Sequence, residues 1–171
     1  MKPASLLRAG MTRRDFLRTT ALASAAAPLL VSCQSARPRV ISANGKLQHA
    51  CIGIGGMGTN DLHNFLDHPR VQIVALCDVD ADNLRAAAAL APGARLYADW
   101  RELLEKEGDQ VDSVNVATPD HSHFSIADSA IQRGKHVYCQ KPMCHDVAEV
   151  RLLTEASVRH GVRTQLGTQA A

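Results

Sequence analysis

Six residues, Gly53-Ile54-Gly55-Gly56-Met57-Gly58, constrain this chain more than any others. An apolar run precedes them, and a segment with apolar residues at helical spacing follows: Met57, Leu62, Phe65 and Leu66. A glycine cluster between a buried strand and an amphipathic helix is a strand-to-helix turn made of backbone. The same alternation continues downstream. Apolar runs predict strands at 48–54, 71–77, 95–97, 111–117, 136–139 and 162–166. Helical stripes bounded by glycine or proline predict helices at 57–66, 81–90, 100–106, 122–133 and 146–160. Six strands interleaved with helices imply right-handed βαβ units and a parallel sheet. The expected fold class is α/β, a doubly wound parallel sheet of Rossmann type.

The chain has 171 residues, and its formal charge of +2 is unevenly spread. Residues 1–32 hold five basic groups and one acid, a charge of +4, whereas 33–171 hold 14 basic and 16 acidic groups, a charge of −2. With six aromatic residues in all and no basic stripe beyond the N-terminus, nothing motivates a nucleic-acid partner. The N-terminal segment carries Thr12-Arg13-Arg14-Asp15-Phe16-Leu17-Arg18, then an uncharged Ala-rich stretch over 19–32 that is shorter than the roughly 20 residues a membrane span needs. It resembles a bacterial twin-arginine export signal, which implies export to the periplasm or outer envelope. Leu30-Val31-Ser32-Cys33 resembles a lipoprotein processing box, in which Cys33 would carry the lipid and tether the protein to a membrane; a simple signal-peptidase cut near Ser32 or Ala36 is the alternative. The expected organisation is a signal over 1–32, a linker over 33–46 and one domain over 47–171.

In G-x-G-x-x-G the first glycine makes the tight turn, the second admits a pyrophosphate, and the third lets helix and strand close up. The pyrophosphate then rests on N–H groups at the helix start, drawn from Gly53, Ile54, Gly55, Gly56, Met57 and Gly58. Asp78 ends the second strand 20 residues after Gly58, where a carboxylate accepts hydrogen bonds from ribose hydroxyls and repels a 2′-phosphate. Arg85 is the nearest following base, so NAD is favoured over NADP. The fourth strand runs out into Thr118-Pro119-Asp120-His121-Ser122-His123, and the fifth into Gln140-Lys141-Pro142, both at the strand ends where open α/β sheets bind ligands. Thr118, Pro119 and His123 are expected beside the cofactor. Asp120, His121 and His123 are too few in sequence for a metal site, and no metal is expected.

The glycine loop, Asp78, the stretch Ala117-Thr118-Pro119 followed by His123, and Gly134-Lys135-His136-Val137 followed by Lys141-Pro142 occur in order. Together they resemble the N-terminal domain of the Gfo/Idh/MocA oxidoreductases over about 47–169. The resemblance implies an NAD(P)-dependent dehydrogenase of sugars or polyols. Lys141 then lies near the substrate hydroxyl and the nicotinamide and helps shuttle a proton, and Gln140 also contributes to the cofactor site. Where the family has Glu-Lys-Pro, this chain has Gln140-Lys141-Pro142, so carboxylate support for Lys141 is absent at that position. The family's second, α+β domain, with its substrate pocket and oligomer interface, is expected to lie beyond this sequence, and the full-length form to be a homo-oligomer. Two other readings share the fold: an NAD-dependent glycosidase of the same superfamily, which the Lys-Pro turn disfavours, and a truncated NAD-binding module without catalysis. Cys51, Cys77 and Cys139 fall on predicted strands and are expected in the core.

Overall fold

The computed structural model describes residues 45–168. The export signal, Cys33, all but the end of the linker, and residues 169–171 lie outside the described residues. The described chain runs β1 (Leu47–Ile52), α1 (Met57–Leu66), β2 (Val71–Cys77), α2 (Ala81–Leu90), β3 (Arg95–Tyr97), α3 (Trp100–Glu107), β4 (Ser113–Val116), a 3₁₀ turn (Asp120–Ser122), α4 (His123–Gln132), β5 (His136–Gln140), α5 (Val147–His160) and β6 (Thr164–Gly167). The strands form one sheet in the order β3-β2-β1-β4-β5-β6, every neighbouring pair parallel. This is the doubly wound Rossmann arrangement: the chain winds outward one way from β1 to β3, then the other way from β4 to β6. Its switch point is the crevice between the carboxyl ends of β1 and β4.

The sheet separates two cores, and β1 and β2 contribute to both. Ala50, Ile52, Val114, Val116, Val137 and Cys139 meet Ile126, Ala127, Ala130 and Ile131 of α4 and Leu153 and Ala156 of α5. On the other face Cys51, Ile73 and Leu76 meet Leu62 of α1 and Ala87 of α2. The boundaries of α1, β2, α2 and β3 coincide with the sequence expectation, and the other seven elements differ by one or two residues at an end. β1 stops at Ile52 rather than 54 because Gly53 turns out of the strand at φ 81°. β4 is confined to Ser113–Val116, shorter than 111–117 at both ends. The helix expected from 122 opens instead with the 3₁₀ turn, and regular helix begins at His123. Among the described residues no helix is long and apolar enough to cross a membrane.

Candidate dinucleotide site

The glycine loop is built on close contacts that no other residue allows. A Cβ on Gly53 would stand 2.6 Å from the Thr118 amide nitrogen and 2.8 Å from the Ala117 carbonyl oxygen, so the loop lies directly against the β4 exit. A Cβ on Gly58 would overlap the Gly53 carbonyl, which seats α1 against β1. The N-cap of α1 is Gly56, no side chain caps the helix, and its first turn holds no acid. By contrast α2, α3 and α5 start on Asp80, Asp99 and Asp146, whose carboxylates accept first-turn N–H groups. The Gly58 and Thr59 N–H groups donate back to the Gly55 and Gly56 carbonyls, so the start of α1 keeps the Met57 N–H and the positive dipole end for an anion.

Asp78 ties the glycine loop to the end of β2. Its Oδ2 accepts the Ile54 N–H at 2.7 Å and the Gly55 N–H at 3.2 Å, and its Oδ1 accepts the Asp80 N–H at 2.9 Å. The sequence reading assigned it to ribose hydroxyls; the structure adds that it shapes the loop, with Oδ1 retaining a lone pair for a hydroxyl.

These groups border a cavity of about 720 Å³ at the switch point. Of the residues expected to bind a cofactor, Gly53, Gly55, Asp78, Thr118 and Pro119 line it. The opposite wall comes from the β3–α3 corner: Asp99, Trp100 and Arg101, with the Arg101 guanidinium 4.4 Å over the Trp100 ring. Sequence reasoning missed this wall, because only the pairing of β3 beside β2 brings it near Asp78. Glu107 anchors the corner through hydrogen bonds from Arg95 and Tyr97. Burial pulls the Glu107 carboxyl upward, but those bonds hold it below its usual value. The NAD preference rested partly on the distance of any base from Asp78, and Arg101 corrects that premise. Arg101 is nevertheless outnumbered by Asp78, Asp80 and Asp99 in the same cavity. Burial, then the charges of Asp78, Asp99 and Glu102, push the Cys77 thiol on the cavity floor up to about 12.

His123 and Gln140 serve the site indirectly. His123 is buried, with Nδ1 2.6 Å from the Pro142 carbonyl oxygen and Nε2 2.7 Å from the Thr118 carbonyl oxygen. Both ring nitrogens face backbone, so His123 holds the β4 and β5 exits together and is not aimed into the cavity. His121 is exposed, so the two histidines do not converge on a metal. Gln140 is also buried, and its amide donates to Asp61 on α1. Both were expected to touch cofactor, and both are spent on neighbouring elements. Lys141 is exposed on the turn that His123 ties to Thr118.

A dinucleotide fits these residues: a backbone cradle that side chains would fill, an uncapped helix start, and a carboxylate at the end of β2. The comparisons agree with that geometry. D-apiose dehydrogenase of Paraburkholderia graminis is 39% identical over 117 residues, covering 68% of this chain and 31% of the relative. A glycosyl hydrolase family 109 protein of Solibacter usitatus is 32% identical over 171 residues, covering 90% of this chain and 39% of the relative. The chain thus spans about a third of the length of these curated relatives. Among solved structures, GenD2 from gentamicin A biosynthesis in complex with NAD superposes with a TM-score of 0.67 at 30% identity, covering 77% of this chain and 37% of that one. The Gfo/Idh/MocA family model, described as an oxidoreductase family with an NAD-binding Rossmann fold, matches residues 47–168, and the chain belongs to that family.

Proposed function

We propose that this chain is the NAD-binding domain of an exported dehydrogenase that oxidises a hydroxyl of a sugar or polyol. The observation that carries the reading is the junction of three strand exits. The glycine loop after β1, the Thr118-Pro119 turn after β4 and the Lys141 turn after β5 meet at one end of the sheet, the last two joined through His123. The Gly53–Gly58 loop and the Met57 N–H at the start of α1 would hold the pyrophosphate, and Asp78 Oδ1 would accept a ribose hydroxyl. The carboxylates of Asp78, Asp80 and Asp99 disfavour a 2′-phosphate, which selects NAD over NADP. NAD, when bound, supplies the hydride acceptor. Lys141 would stand beside the nicotinamide end, where Nζ would orient the substrate hydroxyl and, as the neutral amine, accept its proton.

Two measurements test this. Trp100 is the only tryptophan in the chain and lines the cavity, so NAD should quench its fluorescence, with NADP much less effective. No quenching and no bound NAD would remove the cofactor assignment. In the full-length protein, Lys141→Ala should keep NAD binding and lose about 100-fold or more in turnover. Unchanged turnover would take Lys141 out of the chemistry.

The glycosyl hydrolase relative supports a second reading, an NAD-dependent glycosidase. Accumulation of reduced cofactor, seen at about 340 nm with a free sugar or polyol, favours the dehydrogenase. Release of aglycone without net reduction favours the glycosidase. Export rests on the Arg13-Arg14 pattern. Arg13→Lys with Arg14→Lys should leave the protein in the cytoplasm, and mass spectrometry of the mature N-terminus should show whether Cys33 is lipidated. The full-length form is proposed to be a homo-oligomer that binds a small sugar or polyol.

A further inference from the structure

Gln140 ends β5 with its side chain 4% exposed. Its Nε2 lies 3.0 Å from Asp61 Oδ1 and 2.8 Å from Asp61 Oδ2. Asp61 is 5% exposed, on the buried side of α1 and about one turn from Met57. A carboxylate so far from water is costly unless its oxygens receive donors, and Gln140 Nε2 donates to both of them. Gly167 on β6 closes the other side. A Cβ there would stand 2.9 Å from the Gln140 amide carbon, nitrogen and oxygen alike. The amide is thus clasped between α1 and β6, elements separated by most of the domain in sequence.

We infer that Asp61 and Gln140 are a positioning pair: they set the distance between the start of α1 and the Lys141 turn. The inference rests on the proposed dinucleotide site, because a dinucleotide has its pyrophosphate at the first and its nicotinamide near the second. Gln140 is covalently joined to Lys141, so a shift of its side chain moves that turn. The pair also accounts for an amide at position 140. A carboxylate there would meet the Asp61 carboxylate inside the protein, and two carboxylates in contact cannot both ionise. The chain has one negative charge in this contact, and it is placed on the helix.

The other titratable groups on this face are Tyr138 of β5, Cys51 and His49 of β1. Burial, then the charge of Asp61, raises Cys51 and Tyr138 above their ordinary values. Burial pushes His49 down to about 3. Between roughly pH 6 and 9 these three keep one protonation state. A new pH dependence in that window then belongs to carboxylates placed at 61 and 140.

The experiment compares the wild type with Gln140→Glu, Asp61→Asn and the double variant Asp61→Asn/Gln140→Glu. NAD affinity is read by Trp100 quenching between roughly pH 6 and 9, well below each variant's Tm. Gln140→Glu should lose NAD affinity as pH rises, by about tenfold more than the wild type across the range. The double variant moves the charge to 140 and the amide to 61, and should return to within about threefold of the wild type at every pH. A purely structural role would lower Tm without moving NAD affinity or its pH profile. The inference is overturned if Gln140→Glu binds NAD with the wild-type profile, or if the double variant binds no better than Gln140→Glu. Should Gln140→Glu not fold, Gln140→Met removes the amide without adding charge. It should weaken NAD binding about fivefold at all pH values, and unchanged affinity overturns the inference. A wild type that binds no NAD overturns the cofactor reading and the pair's role with it, whereas wild-type binding with unmoved variants overturns the pair alone.

Discussion

The two ends of β1 treat polar groups in opposite ways. At the amino end His49 is sealed into the sheet: its Nδ1 lies 2.7 Å from the Ser113 hydroxyl, and its ring packs 4.1 Å from the Phe65 ring. At the carboxyl end Ile52 gives way to glycines, an uncapped helix and an open cavity. Polar atoms at the first end are enclosed, Nδ1 against Ser113 and Nε2 without a hydrogen-bond partner. Those at the second end are kept for a ligand, and the fold forgoes a cap to keep them. Stability and binding should therefore respond separately to changes at the two ends.

The largest separation is expected in acid. His49 has its pKa lowered to about 3 by burial, below the ordinary 6.5 it recovers on unfolding. Below pH 6.5 the unfolded chain takes up a proton that the folded chain refuses. Stability should therefore fall as pH drops from about 6.5 toward 3, by up to about 1.4 kcal/mol per pH unit. Denaturant melts at several pH values should show this limb flattened in His49→Asn; an identical slope would free His49 from the acid response. Next in size, Gly58→Ala should break both ends together. Its Cβ would collide with the Gly53 carbonyl, costing roughly 1–3 kcal/mol and most NAD affinity, read by melting and by Trp100 quenching. Loss of binding with full stability would mean that the loop yields locally.

Smaller effects sharpen the contrast between helix starts. Asp146→Ala removes the cap that accepts the Glu149 N–H on α5 and should cost about 1 kcal/mol with NAD binding unmoved. Met57→Asp does the reverse at α1. An acid in the first turn should stabilise the fold by about 0.3–1 kcal/mol. It should also weaken NAD about tenfold by repelling the pyrophosphate. If both affinity and Tm rise, the start of α1 is not the anion site.

Much of this was readable along the chain. α1, β2 and α2 begin and end where the sequence puts them, because glycine, proline and aspartate caps act on their immediate neighbours. The roles of His123 and Gln140 were not readable. One is decided by the Pro142 carbonyl 19 residues away, the other by Asp61 79 residues away. Side chains at the end of a strand can face a cofactor, a turn or a helix, and only packing chooses. The Trp100–Arg101 wall was hidden for the same reason, since no local pattern tells β3 to lie beside β2.

By itself the sequence determined a glycine-rich strand-to-helix turn, an alternating α/β chain and the acid that ends β2, because those features follow from local backbone sterics and periodicity. Only the tertiary structure decided which polar side chains are spent on holding the site and which are left to face it. That choice depends on donors and acceptors from distant segments, because most buried polar atoms must find a partner inside the protein.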